Sequence, residues 1–353
     1  MLRQCIFFIL ISMFIFGCSN DYFLENHKKE EAQVNINEED QAIFENAHRL
    51  LDDVSDVVEG PQNFTVGFSF HADKKWIDSI NVQGEKFEFL NNANHEHELT
   101  GKLMFDNVTK KDIPYTLIVL QGNKATKIKT KNSGWKSSIH VIAKRNATIE
   151  VPISIQWNPK DAEELTFFPI ELTKSMEYQR YDGFNLSLIR LFVQNEKSMT
   201  LDPPMIEKQS FQIDSNFQER GLSLYPTPSL IDENHKPSKL IPKNNQFYVK
   251  SKVGGLHIAP IPYETNISLI WVDEDGNTRM VAENIPIKKE KETIVPFELS
   301  LIESMSKHRK RQFIIVLSNR NRQILADAVA LQQKRKMGLT TWQNVIEIYP
   351  VAK

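Results

Sequence analysis

Cysteine is almost missing from this chain of 353 residues: there are two, Cys5 and Cys18, both near the N-terminus. From residue 19 onward there is no thiol, which excludes a disulfide framework, a cysteine nucleophile and a cysteine-ligated metal for the body of the protein. Its stability must therefore come from a packed core, and the length is ample for two or three domains. A dominant charge is missing too. Lys and Arg number 43 against 45 Asp and Glu, a formal net charge of -2, so nothing global favours a nucleic-acid partner. Catalytic signatures are also missing. There is no Gly-x-Ser-x-Gly elbow, no Ser-x-x-Lys accompanied by its partner motifs, and no phosphate-cradling glycine loop.

What is present begins with the N-terminus. Met1 to Gln4 carry one positive charge at Arg3, and Cys5 to Phe16 are apolar except for Ser12. That run is shorter than the roughly 20 residues a spanning helix needs and too apolar for a surface, so it reads as a secretion signal. Polar residues follow at once after Gly17-Cys18.

Ile15-Phe16-Gly17-Cys18 resembles the lipobox of bacterial lipoproteins, and the lysine-rich composition is similar to that of low-GC Gram-positive proteins. Gly at the third position and Cys at the fourth fit the pattern; Phe16 is larger than the usual second residue. The resemblance implies cleavage before Cys18 and a diacylglyceryl group on its thiol. It also implies a cell-membrane location on the extracytoplasmic face, with the lipid bilayer as first partner. Two acyl chains anchor almost irreversibly, since each buried methylene contributes about 0.8 kcal/mol.

The expected organisation is a signal peptide over 1–17, a polar tether over 18–36, an amphipathic helix over 37–60, and two β-rich domains over 61–198 and 199–353. The helix rests on acids near its start and on helical spacing of Ile43, Phe44, Ala47, Leu50, Leu51, Val54 and Val57, with Gly60-Pro61 as the stop. After Pro61 the period changes to two, as in Phe64, Val66, Phe68 and Phe70. Short runs rich in Val, Ile, Phe and Tyr then recur between Gly, Asn, Asp and Pro. Strands are expected in this pattern up to Thr341–Tyr349, whereas 225–242 reads as a long loop. The fold class is thus mainly β, two tandem sandwich-like domains. An internal duplication is indicated by paired segments. Ile113-Pro114-Tyr115 answers Ile261-Pro262-Tyr263, and Thr148 to Pro152 answers Thr293 to Pro296. Leu165 to Ile170 answers Gln312 to Leu317, each pair roughly 150 residues apart and in the same order.

Four groups of residues invite a chemical reading. In an extended segment His95 and His97 share a face and could share zinc or copper, with His71 as a third ligand. The competing reading is a solvated loop entering a strand. Asp273 to Asn277 places acids next to Gly276, which invites calcium but is a hairpin signal first. Lys307, Arg309, Lys310 and Arg311 form a basic run suited to anionic wall polymer or lipid headgroups, or simply to water. Trp135, beside Gly134 and Lys136, is the tryptophan with the strongest sequence signal for exposure. Overall the sequence favours a membrane-anchored, non-enzymatic binding or assembly module for an envelope protein or wall component, without a cofactor. The alternatives are an envelope enzyme, such as a metal-dependent hydrolase, and a solute-binding receptor.

Overall fold

The computed structural model describes residues 46–49, 66–82, 85–92, 96–158, 164–172, 188–194, 211–213, 216–224, 228–243, 246–308, 310–318, 325–327 and 343–351. The chain is mainly β. Its first part contributes β1 (Asn46–Arg49), β2 (Val66–Ala72), β3 (Ile77–Val82), β4 (Glu85–Asn91), β5 (Glu98–Asn107) and β6 (Ile113–Gln121). β7 (Lys124–Ala125), β8 (Ile128–Thr130), β9 (Ser138–Ala143), β10 (Ala147–Gln156), β11 (Glu164–Glu171) and β12 (Ile189–Gln194) follow. The second part contributes β13 (Phe211–Ile213), β14 (Ser229–Asp232), β15 (Leu240–Lys243), β16 (Gln246–Val249), β17 (Val253–Ile258) and β18 (Thr265–Asp273). Then come β19 (Thr278–Ile287), β20 (Thr293–Pro296), helix α1 (Leu299–Lys307), β21 (Gln312–Ser318), β22 (Leu325–Asp327) and β23 (Gln343–Ile348).

In the first part, one sheet runs β1-β10-β5-β2, with β8 also on β10. β5 and β10 alternate buried and half-buried residues along their length, the pattern of a sheet with one face on the core and one toward water. The second sheet runs β3-β4-β12-β11-β6-β7, with β9 also on β6. Leu103, Phe105 and Val151 of one sheet share an apolar core with Leu117, Val119 and Phe167 of the other. The second part contains sheets β14-β17-β20 and β19-β18-β21-β23, whose shared core includes Leu256, Val295, Leu269, Trp271 and Ile314. Two short pairs, β13-β22 and β15-β16, stand beside them.

A third core joins the two parts. β6, β11, β18 and β21 are buried on both faces: the odd residues of β6 and β11 point into the first core, and Ile118, Leu120, Phe168 and Ile170 point out of it. Those four meet Ile270, Val272, Phe313 and Ile315 from β18 and β21. The rings of Phe168 and Phe313 cross edge to face at 85°, with centroids 5.2 Å apart, the favoured arrangement of aromatic quadrupoles. Polar side chains bridge the same seam. Arg190 donates to the carbonyl of Ser318 (2.7 Å), Arg311 to that of Glu171 (2.5 Å) and Gln343 to that of Leu188 (2.5 Å).

Three sequence expectations change. The helix over 37–60 is replaced, where that segment is described, by strand β1: Asn46 to Arg49 pair antiparallel with Glu150 to Ala147 on the open edge of β10. Most helical stability in a protein comes from packing of an apolar face, whereas a sheet edge supplies a ready ladder of hydrogen bonds. The rest of 37–60 lies outside the described residues. The pattern of strands expected up to Thr341–Tyr349 is interrupted: β20 ends at Pro296 and helix α1 follows, burying Leu301, Ile302 and Met305 while Leu299 stays exposed. The long loop expected over 225–242 contains β14 and β15.

Candidate functional site

Cys18, His95 and Arg309 lie outside the described residues. His71 sits in β2, its Nε2 3.1 Å from the hydroxyl of Ser69, and it stands opposite Lys102 of β5. His97 precedes β5, and its carbonyl accepts the N–H of Trp157 (2.9 Å). Four strand steps separate Lys102 from Glu98, roughly 13 Å, so the fold does not bring His71 to His97. Among the described residues no group of three or more His, Cys, Asp or Glu gathers as a metal site would.

The acids at 273–277 close a turn. The carboxylate of the buried Asp273 accepts the N–H of Asp275 (3.1 Å), the N–H of Asn277 (2.9 Å) and the amide of Asn277 (2.8 Å). This is the local side-chain-to-backbone bonding that shapes Asx turns. Gly276, with φ +86°, completes the hairpin between β18 and β19. Nε2 of His308 lies 3.1 Å from the same carboxylate. Burial pushes the Glu274 carboxyl upward, with Arg311 pulling the other way.

Two cations of the described basic run, Lys310 and Arg311, have partners within the protein. Lys310 pairs with Asp275 at 2.5 Å, and that hydrogen bond raises its ammonium above the usual lysine range. Arg311 grips both oxygens of Glu347 (2.8 and 3.2 Å) with one side of its fork and reaches Glu171 with the other. Burial works to lower the Arg311 guanidinium, but Glu347 outweighs it and holds the charge. A planar fork so committed is a seam element, not a docking group. Lys307 ends helix α1.

A longer concentration of positive charge lies elsewhere. Between Asp112 and Glu150 the chain contains no acidic residue, yet it carries Lys124, Lys127, Lys129, Lys131, Lys136, Lys144 and Arg145. Four of these, from Lys127 to Lys136, lie on or beside one hairpin. β8 forms its first arm, and Ile128 and Lys136 exchange both backbone hydrogen bonds, each 2.8 Å. Thr130 and Ser133 lock the turn, the Ser133 hydroxyl accepting the N–H of Thr130 at 2.9 Å. Strand alternation sets the chemistry of the two faces. Ile128 and Thr130 are buried as β8 pairs with Ile155 and Ile153 of β10, while Lys127 and Lys131 are exposed on the other face.

On the second arm, next to Lys136, stands Trp135, 41% exposed. The ammonium of Lys129 lies 4.5 Å from its ring centroid, a cation–π contact that holds the indole in place. Lys129 also pairs with Glu98 (2.9 Å), and this hydrogen bond, with one from Ser154, keeps the Glu98 carboxyl below its usual range. Lys127 is steadied by the Ser137 hydroxyl at 2.9 Å. A Cβ at Gly134 would meet nothing within 4 Å, so the tip is open. The result is an ordered hairpin with an exposed indole and exposed lysines that sequence reasoning missed as a unit. Its signal was the long acid-free interval, hidden by a nearly balanced total charge.

No protein-family model matches the chain, and no characterised protein matches it in sequence. Likenesses to solved structures are faint. A FixG-related protein from Vibrio parahaemolyticus is 16% identical, covering 37% of this chain and 97% of its own, with a TM-score of 0.21. Red sea bream transglutaminase is 8% identical over 83% of this chain and 32% of its own, TM-score 0.20. The sporulation control protein Spo0M of Bacillus subtilis is 8% identical over 80% of this chain and 90% of its own, TM-score 0.20. Scores this low carry no argument about fold or function.

Proposed function

We propose that this protein is an exported lipoprotein, held to the cell membrane by a diacylglyceryl group on Cys18, and that it acts as a non-enzymatic binding or assembly module in the envelope. Its body consists of two β-sandwich domains that arose by duplication. The strand orders support this: β2-β5-β10 corresponds to β14-β17-β20, and β9-β6-β11-β12 to β19-β18-β21-β23. Register supports it further, since Phe168 stands opposite Ile118 just as Ile315 stands opposite Ile270, and all four enter the third core.

The observation that carries the binding reading is the hairpin at 128–136. It is preformed by backbone hydrogen bonds and rooted in a core that the third apolar layer makes continuous with the second domain. A surface ordered in advance loses little entropy on association, which suits recognition more than chemistry. The test is covalent cross-linking on intact cells, with a photoreactive residue at position 132 or 135 and mass identification of what is joined. Recovery of one abundant envelope component is expected. Recovery of nothing from any exposed position, together with turnover of a small-molecule substrate by the purified protein, would sink the reading.

A further inference from the structure

We infer that the exposed face of this hairpin, Trp135 with Lys127 and Lys131 beside it, seats this body on the anionic phospholipid headgroups of the bilayer to which the chain is tethered. The inference rests on the anchoring proposed above and names the surface that the same hairpin meets.

Three observations carry it. The first is charge complementarity: the segment between Asp112 and Glu150 is free of acids, in a protein whose total charge is -2. On the hairpin Glu98 takes up Lys129, which leaves the exposed Lys127 and Lys131 beside Trp135, and an anionic plane is the partner that these ammonium groups fit. The second is the indole. Trp76, Trp157 and Trp271 are buried, whereas Trp135 is 41% exposed at the hairpin turn. Its amphipathic ring suits the headgroup layer, apolar body inward and N–H toward water. A soluble polymer of phosphates would satisfy the lysines but give the ring no apolar layer to enter, so the bilayer is favoured over wall polymer. The third is rigidity. Both arms are pinned at Ile128 and Lys136, and the turn is closed by Thr130 and Ser133. The lysines at its sides have stems long enough to follow the ring and leave their ammonium groups at phosphate level.

The full-length protein, matured in its bacterial host, is reconstituted into vesicles of brominated phosphatidylcholine, with and without phosphatidylglycerol. Bromine quenches an indole only on contact. Emission is compared between the wild type and Trp135→Phe, so that the other tryptophans cancel. Extra quenching that needs both phosphatidylglycerol and Trp135 is expected. In Lys127→Ala/Lys131→Ala the contact equilibrium constant falls about 25-fold, roughly fivefold per lysine, and about 0.5 M salt acts in the same direction by shortening the Debye length. Equal quenching of wild type and Trp135→Phe in every vesicle overturns the inference. So does protection of Trp135 by added poly(glycerol phosphate) in place of lipid contact, which assigns the tip to wall polymer. The mass of the N-terminal peptide from the same sample reads lipid on Cys18 separately. A lipid-free Cys18 with Trp135 still quenched removes the anchor alone, and a lipidated Cys18 without Trp135 contact removes the headgroup seat alone.

Discussion

Replacing Arg190 by methionine removes the positive member of an ion pair that is almost sealed from water. The side chains of Arg190 and Glu164 are each 2% exposed, and their nearest atoms are 2.7 Å apart. The pair lies on the face of β11 that looks into the third core, and the other arm of the guanidinium bonds Ser318 across the seam. The substitution removes the guanidinium from a carboxylate that is 2% exposed, and breaking a buried pair from one side costs about 3–5 kcal/mol. Around 4 kcal/mol in a body of this size lowers Tm by about 8 °C. The exposed pair Lys75–Glu96 gives the contrast: its side chains are 57% and 43% exposed, and Lys75→Ala costs less than about 1 kcal/mol. Urea unfolding of Arg190→Met, Glu164→Leu and the double variant forms the assay. Arg190→Met/Glu164→Leu recovers most of the loss, because both buried charges of the pair are gone and apolar side chains fill the space. A loss for Arg190→Met no larger than that for Lys75→Ala would refute the burial argument. A double variant as unstable as Arg190→Met would show that the seam bond to Ser318, not the broken pair with Glu164, carries the cost.

Phe168→Ala loses about 3–5 kcal/mol by opening a cavity between the two parts. Phe168→Ala/Phe313→Ala loses less than the sum, because each variant already forfeits the shared ring contact; a double-mutant cycle in urea reads the difference. Gly101→Ala drives a Cβ to 2.6 Å from the carbonyl of His71 and 2.7 Å from the Phe70 ring, a cost of about 1–3 kcal/mol. Gly134→Ala changes Tm by no more than a degree or so, since that Cβ meets nothing. The pH dependence takes opposite signs at two carboxyls. At Asp112 burial opposes the charge, but the Arg145 N–H and the Lys144 ammonium outweigh it and hold the pKa below the ordinary value. The Tm advantage of wild type over Asp112→Asn is therefore full above the unfolded pKa of about 4 and disappears as pH falls through the folded value. At Glu274 burial raises the pKa. Glu274→Gln is accordingly more stable than wild type above the folded pKa, and that gap closes as pH falls to the unfolded value.

The strands were the legible part of the sequence, and the reason is period. β9 and β10 alternate residue by residue between core and exterior, so their bounds follow from Ser138–Ala143 and Ala147–Gln156 alone. Leu117-Ile118-Val119-Leu120 does not alternate, and an unbroken apolar run is the mark of a strand buried on both faces. Read as part of an ordinary two-layer domain, that run concealed the third core. Helix α1 escaped because Leu299 is exposed and three buried residues make a short stripe beside a basic run. The cations at 310 and 311 drew attention by their density. Density says nothing of partners, and Asp275, Glu347 and the Glu171 carbonyl reach them only through folding. The hairpin at 128–136 was readable in one respect, the exposure of Trp135, while its lysines passed as punctuation between strands.

The apolar layer between the two parts also sets an order of events. A polypeptide appears from its N-terminus, so β6 and β11 are complete while β18 and β21 are still to come. Until those later strands arrive, Ile118, Leu120, Phe168 and Ile170 form a bare, sticky sheet face. The first part is in that interval a half-finished product with an aggregation-prone side, and a holding chaperone would find its substrate there. The second part ends that exposure by the same act that completes its own fold.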